Sequence, residues 1–211
     1  TGTYHDMTSS WDSSPYTEGH LREGNTFRMN FRLLFPVNHD PSYQPGYPLI
    51  VMMHGGEEGG DCNTKCKNDE RYRNNDNNLS HGGLLHLQAR NLAAGKYPDD
   101  PTLHPRAFPG FVLFPQNTDG LWDGNTVKYA VRLIRLLIKK HNIDQDRIYI
   151  HGLSKGGQAT VKALFTADWL FAAAAPMSPI AWDGDDSVHP KIQNIPTWFF
   201  QGGRDGQPTP A

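Results

Sequence analysis

The chain has 211 residues, a length that suits one domain with a sizeable core and is short for two. Its 20 basic and 22 acidic residues give a net charge of -2, which argues against binding driven by attraction to nucleic acid or to an acidic membrane surface. Because of this charge balance we expect no nucleic-acid partner. No apolar run approaches the roughly 18 residues of a membrane helix, so we also expect no membrane insertion.

The N-terminal half predicts two strands and a long polar loop. Residues 26–37 alternate apolar with polar side chains, the pattern of a half-exposed strand. The run PLIVMMHGG, residues 48–56, is continuously apolar and predicts a strand buried on both faces of a parallel sheet, ending in a tight loop. A loop rich in Asn, Asp and Lys follows over residues 57–78, and residues 79–93 predict a short helix.

The C-terminal half alternates strands with helices. Apolar residues at helical spacing predict a helix from Val127 to His141, with one buried stripe and a basic outer face. The other predicted elements are strands at residues 110–117, 146–154, 171–178 and 197–205 and a helix at residues 155–167. This alternation predicts a doubly wound parallel sheet with right-handed crossovers.

The stretch HGLSKGG, residues 151–157, places Ser154 where a buried strand turns directly into a helix. Such a sharp turn lifts the serine hydroxyl above the sheet, and bulky residues two positions away would collide, which explains Gly152 and Gly156. Lys155 opens the helix, so its backbone N–H points into the same space and is favoured by the helix dipole. The context favours a nucleophile over a polar residue in a tight turn.

Two further elements fit this chemistry. The loop HGG, residues 54–56, follows an earlier strand, and its glycines allow the backbone to approach a substrate carbonyl; a plain tight turn is the alternative. The stretch FFQGGRDGQ ends a later strand in two glycines and Asp205. An acid placed after the nucleophile in this way would orient a histidine and stabilise its cation.

The motifs PLIVMMHGG, GLSKGG and QGGRD resemble the alpha/beta-hydrolase superfamily over roughly residues 27–211. More narrowly, they resemble the polyhydroxybutyrate depolymerases and the feruloyl and acetyl xylan esterases of carbohydrate esterase family 1. The resemblance implies a three-layer α/β sandwich with a mostly parallel central sheet. It assigns Ser154 as nucleophile, Asp205 as triad acid and the backbone N–H groups of Gly56 and Lys155 as the oxyanion hole. The implied function is a cofactor-free serine carboxylesterase acting on acyl or feruloyl esters, with plant polysaccharides as substrates.

The family's general-base histidine follows the acid, and no histidine follows Asp205 in this chain. We therefore expect the last strand, the histidine and the final helix to lie beyond Ala211, at the C-terminal edge of a single domain. Use of His189 instead would invert the usual chain order. Two alternatives stay open: a serine peptidase of the prolyl oligopeptidase type, and a non-catalytic hydrolase-like domain that binds glycans.

Weaker signals carry weaker expectations. Trp122 and Trp182 follow predicted strand ends, where either could be a substrate platform or a packed loop residue. Cys62 and Cys66 lie four apart in a polar loop; they are two lone thiols or a disulfide, and a disulfide would fit a secreted or periplasmic protein. The acidic residues Asp183, Asp185 and Asp186 lack the spacing of an EF-hand calcium loop, which favours a solvated loop, so we expect no metal.

Overall fold

The computed structural model describes residues 2–7, 16–56, 58–59, 79, 108–117, 122–180 and 192–206. Its strands are β1 (Gly2–Met7), β2 (Tyr16–Glu23), β3 (Thr26–Leu34), β4 (Tyr47–Met53), β5 (Phe111–Gln116), β6 (Ile143–Leu153) and β7 (Ala173–Met177). Its helices are α1 (Gly124–Lys140) and α2 (Lys155–Thr166). The predicted helix beyond Leu79 and the predictions for Cys62, Cys66, Trp182, the acidic stretch 183–186 and His189 fall outside the described residues.

The seven described strands form one mixed sheet in the order β1-β2-β3-β5-β4-β6-β7. Strands β5, β4, β6 and β7 are parallel to one another, as the alternation of strands and helices predicts. Strands β1, β2 and β3 join this part through antiparallel pairing. β1 and β2 were not predicted from the sequence.

Strand β3 is more buried than its alternating pattern predicted. It pairs with β2 on one side and with β5 on the other, so it lies inside the sheet. Phe31 and Leu33 pack in the main hydrophobic cluster, while Leu34 packs in a second cluster with Val112 and Phe114. The prediction of a half-exposed strand is therefore wrong, because both faces of β3 are covered.

Helix α1 begins where its sequence satisfies the first free backbone N–H groups. The carboxylate of Asp123 accepts from the N–H groups of Asn125 and Thr126, at 3.0 and 2.7 Å. Lys139 and Lys140 occupy the last turn, where positive charge is favoured by the helix dipole. Buried residues of α1 and α2 belong to the same main cluster as the strands beneath them. Within the described residues, no helix is long and apolar enough to cross a membrane.

The predicted strand at residues 197–205 appears in another form. Thr197 and Phe200 make isolated parallel bridges to Ala174 and Met177 of β7, without a continuous ladder. Trp198 is 71% exposed and Phe200 is 42% exposed, so the prediction of a buried strand is wrong. Among the described residues this segment is paired only with β7, and its outer side has no strand neighbour.

Candidate active site

Ser154 lies between the end of β6 and the first residue of α2 in a backbone conformation that side chains rarely adopt. Its φ is 59° and its ψ is −118°, in the positive-φ region that favours glycine. Its N–H donates to the carbonyl of Met177 at 3.0 Å, and its own carbonyl accepts from the N–H of Gln158 at 3.1 Å. The side chain makes no capping hydrogen bond to the helix, so the hydroxyl is not used to start α2.

The glycines beside Ser154 are required by contacts with backbone atoms. A Cβ on Gly152 would lie 2.5 Å from the carbonyl carbon of Gly156. A Cβ on Gly156 would lie only 2.0 Å from the carbonyl oxygen of Met53, at the end of β4. Because backbone cannot yield as a flexible side chain can, the turn accepts neither alanine. The sequence predicts this steric requirement for glycine on both sides of a sharp strand-to-helix turn. We call this turn, residues 152–156, the elbow.

The two residues predicted to supply the oxyanion hole lie against each other. A Cβ on Gly56 would lie 2.5 Å from Cδ of Lys155, so the loop after β4 touches the first residue of α2. The backbone N–H of Gly55 already donates to Oε2 of Glu58 at 2.7 Å. Because that N–H is engaged, the N–H of Gly56 is favoured over it as the donor to a substrate carbonyl.

His54 holds this loop in place and is itself fully buried. Its Nδ1 lies 2.6 Å from the carbonyl oxygen of Gly55, and its Nε2 accepts from the N–H of Asn117 at 3.0 Å. These partners assign the proton to Nδ1. Burial lowers the pKa of His54 to about 4, so the ring is neutral near pH 7. With both nitrogens engaged, His54 is a support of the loop and does not act as a general base.

Trp122 was predicted to be either a substrate platform or a packed loop residue, and its surroundings favour the second role. Only 3% of the residue is exposed, and it belongs to the main hydrophobic cluster. Its indole N–H donates to the carbonyl of His54 at 2.9 Å, and the two ring centroids lie 4.7 Å apart. The burial of the ring therefore favours a packed loop residue over a substrate platform at Trp122.

Asp205 lies in a turn after the segment that pairs with β7, with one carboxylate oxygen surrounded by donors. Its Oδ2 accepts from Oγ of Ser178 at 2.6 Å, from Nε2 of Gln201 at 2.9 Å and from the N–H of Gly202 at 3.0 Å. The N–H of Asp205 donates to the carbonyl of Gly202 at 3.0 Å and closes the turn. Sequence reasoning missed Ser178 and Gln201. For Ser178 a usable signal was its place at the end of a predicted strand.

The end of β7 connects Ser154 with Asp205. The carbonyl of Met177 accepts from the N–H of Ser154, and the hydroxyl of the next residue, Ser178, donates to Asp205. Two residues further on, the N–H of Ile180 donates to the carbonyl of Ser154 at 3.4 Å. The structure thus brings Ser154 and Asp205 to one edge of the sheet, linked through the backbone that follows β7 and the hydroxyl of Ser178. 

A cavity also lies on the sheet, away from this edge. It has a volume of about 490 Å³ and is lined by β4, β6, β7 and the segment paired with β7, with Tyr149, His151 and Trp198 among its walls. His151, in strand β6, is half-buried and lines this cavity. Neither Ser154 nor Asp205 contributes to the cavity wall.

Comparison with known proteins supports the alpha/beta-hydrolase prediction. Residues 113–202 match the prolyl oligopeptidase family, and no curated protein matches the chain. A thermostable esterase is 27% identical with a TM-score of 0.59; the alignment covers 96% of this chain and 47% of that structure. An acetyl xylan esterase from Aspergillus awamori is 15% identical with a TM-score of 0.53, covering 99% of this chain and 75% of that one.

A ferulic acid esterase of class CE1 from Anaeromyces mucronatus, in complex with ferulic acid, is 12% identical with a TM-score of 0.53, covering 99% of this chain and 74% of that one. The chain thus spans about half the length of the thermostable esterase and about three quarters of the two fungal enzymes. These likenesses confirm the predicted fold: the chain has the alpha/beta-hydrolase fold.

Proposed function

We propose that the chain acts as a serine carboxylesterase that hydrolyses acyl or feruloyl esters, with Ser154 as the nucleophile and Asp205 as the triad acid. The observation that carries the proposal is the backbone of Ser154, held at φ 59° between β6 and α2 with its hydroxyl free of the helix cap. A non-glycine residue in such a region costs about 1–3 kcal/mol and is retained where the surrounding structure enforces it, as it does at many active sites.

The chemistry follows from the placement of these groups. Oγ of Ser154 attacks the ester carbonyl carbon, and its proton passes to a general base that Asp205 orients. The backbone N–H groups of Gly56 and Lys155 bind the oxyanion of the tetrahedral intermediate, each donor being worth about 100 to 1,000 fold in rate. The intermediate expels the alcohol, which takes the proton from the base, and water then hydrolyses the acyl-enzyme by the same steps.

The substrate class rests on what the chain is similar to. Two structures of the same fold are named as an acetyl xylan esterase and a ferulic acid esterase, and the second holds ferulic acid. We extend this to acyl or feruloyl groups on plant polysaccharides. Such substrates are large and lie outside the cell, so the proposal includes a secreted or periplasmic location.

The prolyl oligopeptidase match supplies a second candidate function, a serine peptidase. Its matched residues 113–202 include the elbow at Ser154 and end before Asp205. Ester and peptide hydrolysis share the nucleophile and the oxyanion hole, so a match of this extent is compatible with both reactions. The glycan-binding alternative differs, since it requires no activity of Ser154.

The test compares substrates on the full-length protein. Methyl ferulate and 4-nitrophenyl acetate report esterase activity, and a prolyl 4-nitroanilide reports peptidase activity. We expect ester hydrolysis in the wild type and a loss of at least about 1,000 fold in kcat for Ser154→Ala. Ser42→Ala, which removes an exposed hydroxyl near the start of β4, is the matched control and should retain full activity.

Each contrary outcome points to one alternative. Cleavage of the anilide with no ester hydrolysis would favour the peptidase. A wild-type protein that hydrolyses neither class of substrate, yet binds xylan oligosaccharides in calorimetry, would favour the glycan-binding domain. Ester hydrolysis that survives Ser154→Ala would remove the nucleophile from the proposal.

A further inference from the structure

Ser178 is a residue that neither the sequence motifs nor the comparisons single out, and it lies between the two groups of the proposed machinery. It follows the last residue of β7 with a φ of 37°, and its N–H donates to the carbonyl of Phe200 at 2.7 Å. The residue before it accepts the N–H of Ser154. The backbone around Ser178 is therefore tied both to the elbow and to the segment that leads to Asp205.

The side chain of Ser178 makes the shortest of the three hydrogen bonds to Asp205. Oγ of Ser178 lies 2.6 Å from Oδ2, a distance typical of a hydroxyl that donates to a charged carboxylate. The N–H of Gly202 lies 3.0 Å from the same oxygen and 3.4 Å from Oγ of Ser178, so hydroxyl, amide and carboxylate form one small network. Nε2 of Gln201 completes it at 2.9 Å.

All three donors act on the same carboxylate oxygen. A carboxylate oxygen offers about two lone-pair positions, so Oδ2 is saturated by Ser178, Gln201 and Gly202. Among the described residues, none of the donors to the carboxylate uses Oδ1. The arrangement fixes the rotation of the carboxylate about its bond to Cβ, and it leaves Oδ1 as the oxygen available to a partner.

From this arrangement we infer that Ser178 is a positioning residue, which anchors Oδ2 of Asp205 so that Oδ1 faces the general base of the triad. The inference rests on the proposed function and extends it, because it assigns a role to a group that touches neither substrate nor nucleophile side chain. Ser178 acts through Asp205: a carboxylate that rotates freely holds the base in the right orientation for only part of the time.

The effect should appear in kcat and leave KM nearly unchanged. Loss of one hydrogen bond to a charged group typically weakens its positioning enough to cost about tenfold. We therefore expect Ser178→Ala to lower kcat for 4-nitrophenyl acetate about tenfold in the full-length protein, with KM within about twofold of the wild type. Ser42→Ala removes a comparable serine–carboxylate hydrogen bond, 2.7 Å from Asp40, away from the site, and should change neither constant.

A merely structural role for Ser178 is tested with Ser178→Gly. Alanine keeps the unfavourable φ of 37°, whereas glycine adopts it without strain, so the glycine variant should unfold at the higher temperature of the two. Neither variant has the hydroxyl, so the inference expects both to lose kcat equally. Recovery of kcat in Ser178→Gly would show that the residue matters only for stability and would overturn the inference.

A double-mutant cycle with Asp205→Ala completes the experiment. If Ser178 acts through Asp205, Ser178→Ala should add no further loss of kcat in the Asp205→Ala background. The inference would be overturned if Ser178→Ala lowered kcat equally in the wild-type and Asp205→Ala backgrounds, or if Ser178→Ala alone left kcat unchanged. In either case, loss of activity in Ser154→Ala would still support the proposed esterase. A wild-type protein without esterase activity would overturn both.

Discussion

The buried, neutral His54 predicts a loss of stability as the pH falls. In the folded protein, burial lowers the pKa of its imidazole to about 4, whereas in the unfolded chain the group takes up a proton near its ordinary value of 6.5. Below pH 6.5 the unfolded state therefore binds more protons, and the free energy of unfolding decreases as the pH falls, until both states are protonated. At 1.36 kcal/mol per pKa unit, His54 alone should remove about 2 kcal/mol between about pH 8 and pH 5.

The assay is urea unfolding followed by tryptophan fluorescence at several pH values from about 8 to 5, on the wild type and on His54→Gln. Glutamine can accept from the N–H of Asn117 and does not titrate, so it serves as the matched reference. Other groups titrate equally in both proteins and cancel in the difference. The wild type should lose about 2 kcal/mol more than the variant over this range. Parallel pH dependences in the two proteins would refute the assignment of His54 as a buried neutral residue.

Two further substitutions test the elbow and the loop that faces it. Gly156→Ala places a Cβ against the carbonyl oxygen of Met53, so it should lower the free energy of unfolding by several kcal/mol or prevent folding. In the control Gly203→Ala the Cβ meets no atom, so its free energy of unfolding should stay within about 0.5 kcal/mol of the wild type. Urea titrations measure both. Trp122→Phe removes the donor to the carbonyl of His54 and should lower kcat about fivefold with little change in KM. A raised KM for feruloyl esters at unchanged kcat would instead favour Trp122 as a substrate platform.

The elbow could be predicted from sequence because its determinants lie within a few residues of one another. Gly152 and Gly156 flank Ser154 in the chain, and the collisions that exclude side chains there arise from the turn itself. A short apolar run at residues 148–150 and helical spacing after Ser154 identify the strand and the helix. The parallel core of the sheet follows from the same local patterns.

The supports of the site could not be predicted in this way, because they depend on pairing between distant segments. Ser178 and Asp205 are separated by 27 positions, and they meet because residues 197–200 lie beside β7. Likewise, Trp122 lies 68 positions from His54 and reaches it through the packing of α1 on the sheet. The sequence around a tryptophan that follows a strand does not show whether its ring is buried or exposed. The packed role of Trp122 could therefore be assigned only from its burial in the structure.

In the proposed function, the described groups determine how a carbonyl is attacked more than which substrate is chosen. The proposed nucleophile Ser154, the proposed donors at Gly56 and Lys155, and the proposed triad acid Asp205 would all serve a tetrahedral intermediate, which esters and amides form alike. Discrimination between the two must come from contacts with the acyl and leaving groups, because only those parts differ. Leu153, 53% exposed and adjacent to the nucleophile, is an apolar side chain in the described part of this region. The elbow therefore supports a serine hydrolase in general, and the esterase assignment depends on the substrate comparison proposed above.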